Sequence, residues 1–174
     1  IYVWHRDRDA GRQVVDAIVP PGFVALAGAR LGCLANGCDF GAPTSGGWGL
    51  RYPAGTAVWK LHRELGYVGL ESAWSAPTHP LPIYLVGGTL AVVLLCEVIT
   101  ASSSLPPGTE ALGLTAGYLL IRGAAEAFRD PRIVTTSWTG GTFECTINQA
   151  LAWGALTGLA VYSSAYMFRS STPS

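Results

Sequence analysis

The chain has 174 residues, with eleven basic and eleven acidic side chains, and 49% of it is hydrophobic. Charged residues make up only 13%, about half of the roughly 25% that is usual in soluble domains. This balance excludes a disordered chain, an acidic tail and a polybasic nucleic-acid-binding protein, so we expect no nucleic-acid partner. Only three histidines are present and none has ligand spacing with a cysteine, so we expect no metal and no other cofactor.

Two long apolar stretches predict transmembrane helices. Leu81–Thr100 contains one charged residue, Glu97, and Cys145–Phe168 contains none. A helix rises about 1.5 Å per residue, so about twenty residues span a hydrocarbon core of roughly 30 Å. A soluble globule with buried core helices is the alternative, but Cys145–Phe168 offers few polar residues for an outer face.

Two weaker stretches bring the expected number of transmembrane helices to about four. Glu110–Phe128 contains ionisable residues, and Val14–Ala29 is interrupted by Pro20 and Pro21. A proline within an isolated helix costs about 3 kcal/mol, although neighbouring helices make it tolerable in membranes. The predicted fold class is therefore an all-α polytopic membrane helix bundle, forming a single membrane domain over residues 1–174.

Residues 33–78 have a different composition, rich in glycine, proline and tryptophan. We expect an extramembrane or interfacial insertion here, anchored by Trp48, Trp59 and Trp74, because tryptophan favours the membrane–water interface. Lys60–Leu65 alternates charged and apolar residues and predicts a short helix lying in that interface.

Several ionisable residues fall within the predicted spans, where insertion costs roughly 2.5–3.5 kcal/mol each. Tyr118, Arg122, Glu126 and Arg129 are spaced to share one helix face. One interpretation is an intramembrane ion pair that only fixes helix packing. The other is a polar cavity in which Arg122 binds an anionic ligand and Glu126 holds the arginine, because the guanidinium fork matches phosphate oxygens.

Arg30 and His79 have the same two kinds of interpretation. Arg30 closes an apolar stretch, and it either extends to the headgroup region or forms a lipid-phosphate site together with Arg122. His79 precedes the span at Leu81, and it is either a solvated residue at a helix start or a general acid or base.

Four patches of the chain resemble the phosphatidylglycerol–prolipoprotein diacylglyceryl transferase family, and they occur in the family's order. They are Gly28–Gly37 with Gly41–Thr44, Trp48–Pro53, His79–Tyr84, and Tyr118–Pro131. The first is similar to the family's Gly-Arg-x-Gly-Asn segment ending in Asn-Gly-Glu, and the last to its Tyr-Gly-x-x-Arg-x-x-x-Glu-x-x-Arg-Glu-Pro segment. Gln149 is similar to a glutamine that opens the family's last helix.

The resemblance implies a multi-pass protein of the bacterial plasma (inner) membrane. It implies transfer of a diacylglyceryl group from phosphatidylglycerol, a membrane lipid, to the lipobox cysteine thiol in the signal peptide of a prolipoprotein, with release of glycerol phosphate. The segment after Arg30 would face the periplasm or cell exterior, and the loop at Arg6–Arg12 would be cytoplasmic.

The resemblance also implies roles for individual residues. The candidate catalytic residues are those that place charge on the leaving phosphate, orient an arginine or exchange a proton: Arg30, Arg122, Glu126 and His79. The candidate substrate-binding residues are those that donate hydrogen bonds or lie in the matching motifs: Asn36, Gly37, Tyr84, Tyr118 and Arg129.

The chain departs from the family pattern at four positions, which carry Cys33 for Asn, Cys38 for Glu, Pro82 for Gln and Leu85 for Glu. Two alternatives follow, a non-catalytic protein that binds anionic lipid and a thiol-redox membrane protein that uses Cys33 and Cys38. A disulfide between these cysteines needs a broken helix, because positions five apart in a continuous helix do not face each other. The family's His-Gly-Gly segment would precede Ile1, so we expect the chain to be the C-terminal portion of a larger protein.

Overall fold

The computed structural model describes residues 8–130, 132, 137–139, 144–146, 153, 154 and 157. These residues are mostly helical. The helices are α1 (Arg8–Asn36), α2 (Ala57–Glu64), α3 (Leu81–Ser102) and α4 (Thr109–Ala125), and a 3₁₀ turn covers Glu126–Phe128. Two three-residue strands, β1 (Ser137–Thr139) and β2 (Glu144–Thr146), pair antiparallel. The helical fold class is confirmed for α1 to α4, and the strand pair is an addition to it.

The predicted start of the last span is wrong, because Cys145 lies in β2 and pairs with Trp138. A threonine and an isoleucine follow Cys145, and such β-branched residues favour a strand. Trp153, Gly154 and Thr157 have helical backbone, and the rest of the predicted span lies outside the described residues.

Helix α1 continues through Pro20 and Pro21, as expected for the weaker span predicted at Val14–Ala29. Each proline removes a backbone donor and one intrahelical hydrogen bond. Both α3 and α4 pack against α1, and such neighbours make a proline within a helix tolerable.

Among the described residues, two helices are long and apolar enough to cross a membrane, Asp9–Asn36 and Leu81–Ser102. The 22 residues of α3 span about 33 Å at 1.5 Å per residue. Helix α4 has 17 residues, at the lower end of the range of about 17–25 that spans a bilayer. The expected number of about four spans is not confirmed in the part of the chain that the structure describes.

Small residues allow α3 and α4 to approach closely. A Cβ atom on Gly117 would lie 2.6 Å from a methyl group of Val92, and one on Gly88 would lie 2.8 Å from Ile121. Glycine therefore fills the contact positions, as is common where helices pack within membranes. The α1–α4 contact includes the rings of Phe23 and Tyr118, whose centroids are 5.2 Å apart.

The first turn of α4 is capped from another helix. The Asp16 carboxylate on α1 accepts hydrogen bonds from the Gly108 N–H at 2.5 Å and the Ala111 N–H at 2.9 Å. Gly108 has no side chain with which to cap the helix itself, so Asp16 satisfies donors that would otherwise lack a partner. This contact fixes the start of α4 against α1.

The segment between α1 and α3 has its own small core of Phe40, Tyr52 and Val58. It contains α2, which confirms the short helix predicted at Lys60–Leu65. Its loops run antiparallel to each other, and Thr78 forms isolated antiparallel bridges with both Pro43 and Leu50. The segment is therefore a folded unit that carries residues 37–44 and His79 to the end of α4.

Gly41→Ala is expected to destabilise the protein by about 1–3 kcal/mol, the usual cost of overpacking. A Cβ atom at this position would lie 2.5 Å from the Phe128 carbonyl oxygen and 2.7 Å from the Cβ atom of His79. The matched control is Gly47→Ala, because a Cβ atom there meets nothing within 4 Å. Thermal unfolding in detergent measures both, and equal midpoints would contradict the packing argument.

His62 lies wholly buried between the rings of Phe40 and Tyr67, and neither ring nitrogen has a hydrogen-bond partner within the described residues. Burial lowers the pKa of His62 from its ordinary 6.5, although Asp130 opposes the shift. Below about pH 6.5 the unfolded chain takes up a proton that the folded protein resists. The contribution of His62 to the free energy of unfolding is therefore fully present above about pH 6.5, and it is lost as the pH falls below that value.

Thermal midpoints from about pH 7.5 to about pH 5 check this expectation for His62. The wild type should lose stability by at most about 1.4 kcal/mol per pH unit relative to His62→Leu. The variant removes the titrating group but keeps an apolar side chain in the core. Parallel pH profiles for the two proteins would show that His62 makes no such contribution.

Candidate functional site

Three segments of the chain meet at the end of α4. The Gly41 N–H donates to the His79 carbonyl at 2.9 Å, and the His79 N–H donates to Ala42 at 3.0 Å. The Ala42 N–H donates to the Phe128 carbonyl at 2.7 Å. These backbone bonds place the Asp39–Ala42 segment, the start of α3 and the 3₁₀ turn at one point, with charged side chains on one side and aromatic rings on the other.

The charged side is an ionic chain of five residues. Asp39 accepts from Arg30 at 2.9 Å and from Arg129 at 2.6 Å. Arg129 also donates to Glu126 at 3.0 Å, and Glu126 pairs with Arg122. Signs alternate along the chain, and three guanidinium groups against two carboxylates leave one net positive charge. Arg30 and Arg122, expected to converge, belong to this one network.

The carboxylates of the network are more buried than its arginines. The Glu126 side chain is fully buried and Asp39 is 9% exposed, whereas the three arginines are 18–24% exposed. Two buried atoms, Arg30 Nε and Glu126 Oε2, have no hydrogen-bond partner in the part of the chain that the structure describes. The carboxylates are thus the more buried partners and the guanidinium groups the more exposed ones, which suits an anionic ligand.

Arg129 links the two carboxylates with two of its nitrogens, Nε to Glu126 and Nη2 to Asp39. Burial alone would lower the pKa of Arg129, but the Asp39 and Glu126 carboxylates raise it above its ordinary value. Arg129 is therefore a permanent cation, and two of its nitrogens are already hydrogen-bonded to carboxylates of the ionic chain.

Tyr118 lies one turn before Arg122 on α4, and its hydroxyl group neighbours the Arg30 guanidinium. The spacing-based expectation that Tyr118, Arg122, Glu126 and Arg129 share one side is met by these contacts. Glu126 and Arg129 lie beyond the α-helix, in and after the 3₁₀ turn, yet the pairing of Arg122 with Glu126 is retained.

The aromatic side of the site contains His79. Its Nδ1 atom lies 3.1 Å from the Tyr84 hydroxyl group, and the Phe128 ring contacts both residues at centroid distances of 5.1 and 5.5 Å. They border a cavity of about 350 Å³ lined mainly by apolar and aromatic residues: Trp48, His79, Tyr84, Ile121, Ala124, Ala125 and Phe128. The described side-chain contacts of His79 are within this aromatic group, and the described ion pairs do not include it.

Asn36 ends α1 and Gly37 follows it, and the described contacts of both residues lie outside the ionic chain. The Asn36 side chain is exposed and donates to the carbonyl of Gly32, within its own helix. Gly37 has a φ of +61°, a left-handed conformation that favours glycine, and a Cβ atom there would lie 2.9 Å from the Tyr52 ring. Their contacts are structural, and they direct the chain toward Asp39.

Comparison with known proteins gives a family for nearly the whole chain. A model of the family described as prolipoprotein diacylglyceryl transferase matches residues 1–166. The chain belongs to this family. No curated protein and no solved structure matches the chain significantly.

The prolipoprotein diacylglyceryl transferases are inner-membrane transferases that act on a prolipoprotein and a lipid substrate. The family match covers the ionic chain and the aromatic cavity alike. Two long apolar helices, α1 and α3, are consistent with membrane insertion of this member.

Asp39 is the site residue that the sequence analysis missed. The family pattern places a carboxylate directly after Asn-Gly, where this chain has Cys38, and Asp39 follows one position later. Its two partners are 9 and 90 residues away, so no local spacing indicates them. One feature of the sequence could have indicated Asp39. It is an acidic residue close to the end of the first helix, one position after the place where the family pattern has a glutamate.

Asp39→Asn is expected to destabilise the protein by about 2–3 kcal/mol. The substitution removes the negative charge that lies between the two positive charges of Arg30 and Arg129. Breaking a buried pair costs roughly 3–5 kcal/mol, and the partial exposure of both arginines reduces the effect. Glu71→Gln is the matched control, since Glu71 is exposed. Unfolding midpoints report the loss, and an Asp39→Asn protein as stable as the control would contradict it.

Proposed function

We propose that this protein transfers a diacylglyceryl group from phosphatidylglycerol to the lipobox cysteine of a prolipoprotein in the bacterial inner membrane. The family match supports the reaction class. The observation that carries the proposal for this member is the alternating ionic chain with one net positive charge, adjoining an apolar cavity.

The donor lipid has a phosphate ester and two acyl chains, and the two sides of the site suit these parts. Guanidinium groups match phosphate oxygens in geometry and charge. Small-molecule sites are mostly apolar with a few placed polar groups, and the cavity beside His79 has this character. The headgroup phosphate would bind at the ionic chain, with the hydrocarbon of a substrate against the aromatic side.

Arg30 and Arg122 are the residues that we assign to the phosphate. Each uses a single nitrogen, Nη1, in its ion pair, and the two side chains are partly exposed, at 24% for Arg30 and 18% for Arg122. Arg129 already donates to both carboxylates. We therefore assign Arg129, Asp39 and Glu126 to positioning the two arginines that bind the phosphate. Tyr118 would add a hydrogen bond beside Arg30.

The reaction breaks the bond between the diacylglyceryl carbon and the phosphate oxygen and forms a thioether to the acceptor cysteine. The acceptor must attack as a thiolate, and its proton would pass to His79. Glycerol phosphate leaves with the bonding electrons, and two guanidinium groups stabilise its negative charge. Tyr84, at 3.1 Å from His79 Nδ1, would hold the imidazole ring in orientation.

Arg30→Ala and Arg122→Ala are each expected to lower diacylglyceryl transfer at least about 100-fold, the usual effect of removing a group that stabilises developing charge. The measurement is the mass of a lipobox peptide after incubation with the full-length protein in phosphatidylglycerol vesicles. Arg51→Ala is the matched control, since Arg51 is exposed in the segment between α1 and α3.

Transfer at the wild-type rate by either Arg30→Ala or Arg122→Ala would overturn the phosphate assignment, provided that unfolding midpoints show both variants folded. A wild-type protein that binds phosphatidylglycerol vesicles but fails to restore a transferase-depleted bacterium would instead favour the non-catalytic lipid-binding alternative. The departures at Cys33 and Cys38 are the observation behind that alternative.

A further inference from the structure

The end of α1 has the geometry of a Schellman cap. The Cys38 N–H donates to the Cys33 carbonyl at 3.3 Å, and the intervening Gly37 has a left-handed φ of +61°. In this cap the sixth residue bonds back to the first, and the side chains of those two residues commonly contact each other. Here both positions are cysteine, so the cap brings together two thiols that a continuous helix would hold apart.

The side chains follow the same arrangement. The Cys38 thiol points back toward its helix, with Sγ at 3.8 Å from the Cys33 carbonyl oxygen. The Cys33 thiol is near enough to raise the pKa of the Cys38 thiol, and Asp39 acts in the same direction. Both cysteines are unpaired, Cys38 is exposed and Cys33 is half-buried.

We propose that Cys33 and Cys38 are a redox-reactive dithiol that closes a disulfide across the cap of α1. The exposed Cys38 is the thiol that meets the oxidant, and Cys33 is the resolving thiol. This assignment rests on the cap and the exposure of the two residues, and it does not depend on the proposed transferase activity.

The oxidant is a small or protein-borne disulfide, and the step is thiol–disulfide exchange. The Cys38 thiolate attacks one sulfur of the donor, which releases one donor thiol and leaves a mixed disulfide on Cys38. The Cys33 thiolate then attacks the Cys38 sulfur, forms the Cys33–Cys38 bond and releases the second donor thiol. The protein loses two protons and two electrons, which reduce the donor to two thiols.

A disulfide between Cys33 and Cys38 would lie next to the ionic chain. Cys33 lies three residues after Arg30, and Cys38 directly precedes Asp39. A disulfide would therefore tie the last turn of α1 to the residue beside the carboxylate that pairs with Arg30 and Arg129. The oxidised cap would restrict the movement of Asp39 relative to α1.

The test treats the full-length protein with oxidised glutathione, alkylates the remaining thiols and digests with trypsin. The tryptic peptide between Arg30 and Arg51 contains both cysteines. We expect this peptide to become two hydrogens lighter than its reduced form, to resist alkylation, and to return to two alkylated thiols after reduction. Cys96, half-buried within α3, is the internal control and should stay alkylated.

Cys33→Ser is the variant that separates the two steps, because it keeps the exposed thiol and removes the resolving one. It should accumulate the glutathione adduct on Cys38 at least about tenfold above the wild type. An equally stable adduct in both proteins, or a wild-type peptide that stays fully alkylated after oxidation, would overturn the proposal.

Discussion

A carboxylate shared by two guanidinium groups holds this site together. Asp39 lies between Arg30, on the first long helix, and Arg129, just beyond α4. Without it, two like charges would face each other in a poorly solvated place, where repulsion is strong. Because the carboxylate is 9% exposed, the pairings compensate its loss of hydration. Asp39 thereby joins α1 to the segment that follows α4.

Separation of charge from apolar surface is the second constraint. Successive residues of α4 face different ways, so Arg122 joins the ionic chain while Ile121 lines the cavity. The segment at Gly41 and Ala42 passes between the two sides by hydrogen bonding to His79 and Phe128. A lipid with a charged headgroup and apolar chains has the same division, which is why the proposed function follows from this arrangement.

The departures from the family pattern acquire a physical interpretation in the fold. Cys33 and Cys38 replace two polar residues of the pattern, but they occupy the two positions of a helix cap whose side chains commonly contact each other. The pattern's carboxylate after Asn-Gly is replaced by Cys38, and Asp39 lies one position later. The substitutions therefore leave the ionic chain intact and add two neighbouring thiols at its border.

The sequence by itself determined the helical class, the apolar helix α3 and the pairing of Arg122 with Glu126, because each depends on local hydropathy or on a spacing of four residues. The position of Arg30 at the end of an apolar stretch also selected it from the sequence, and the family match bears out the family resemblance. Continuity of α1 through two prolines, the Asp39 bridge and the placement of His79 among aromatic rings were decided by the tertiary structure. These features depend on partners that are distant along the chain, 90 residues apart for Asp39 and Arg129, and only packing brings them together.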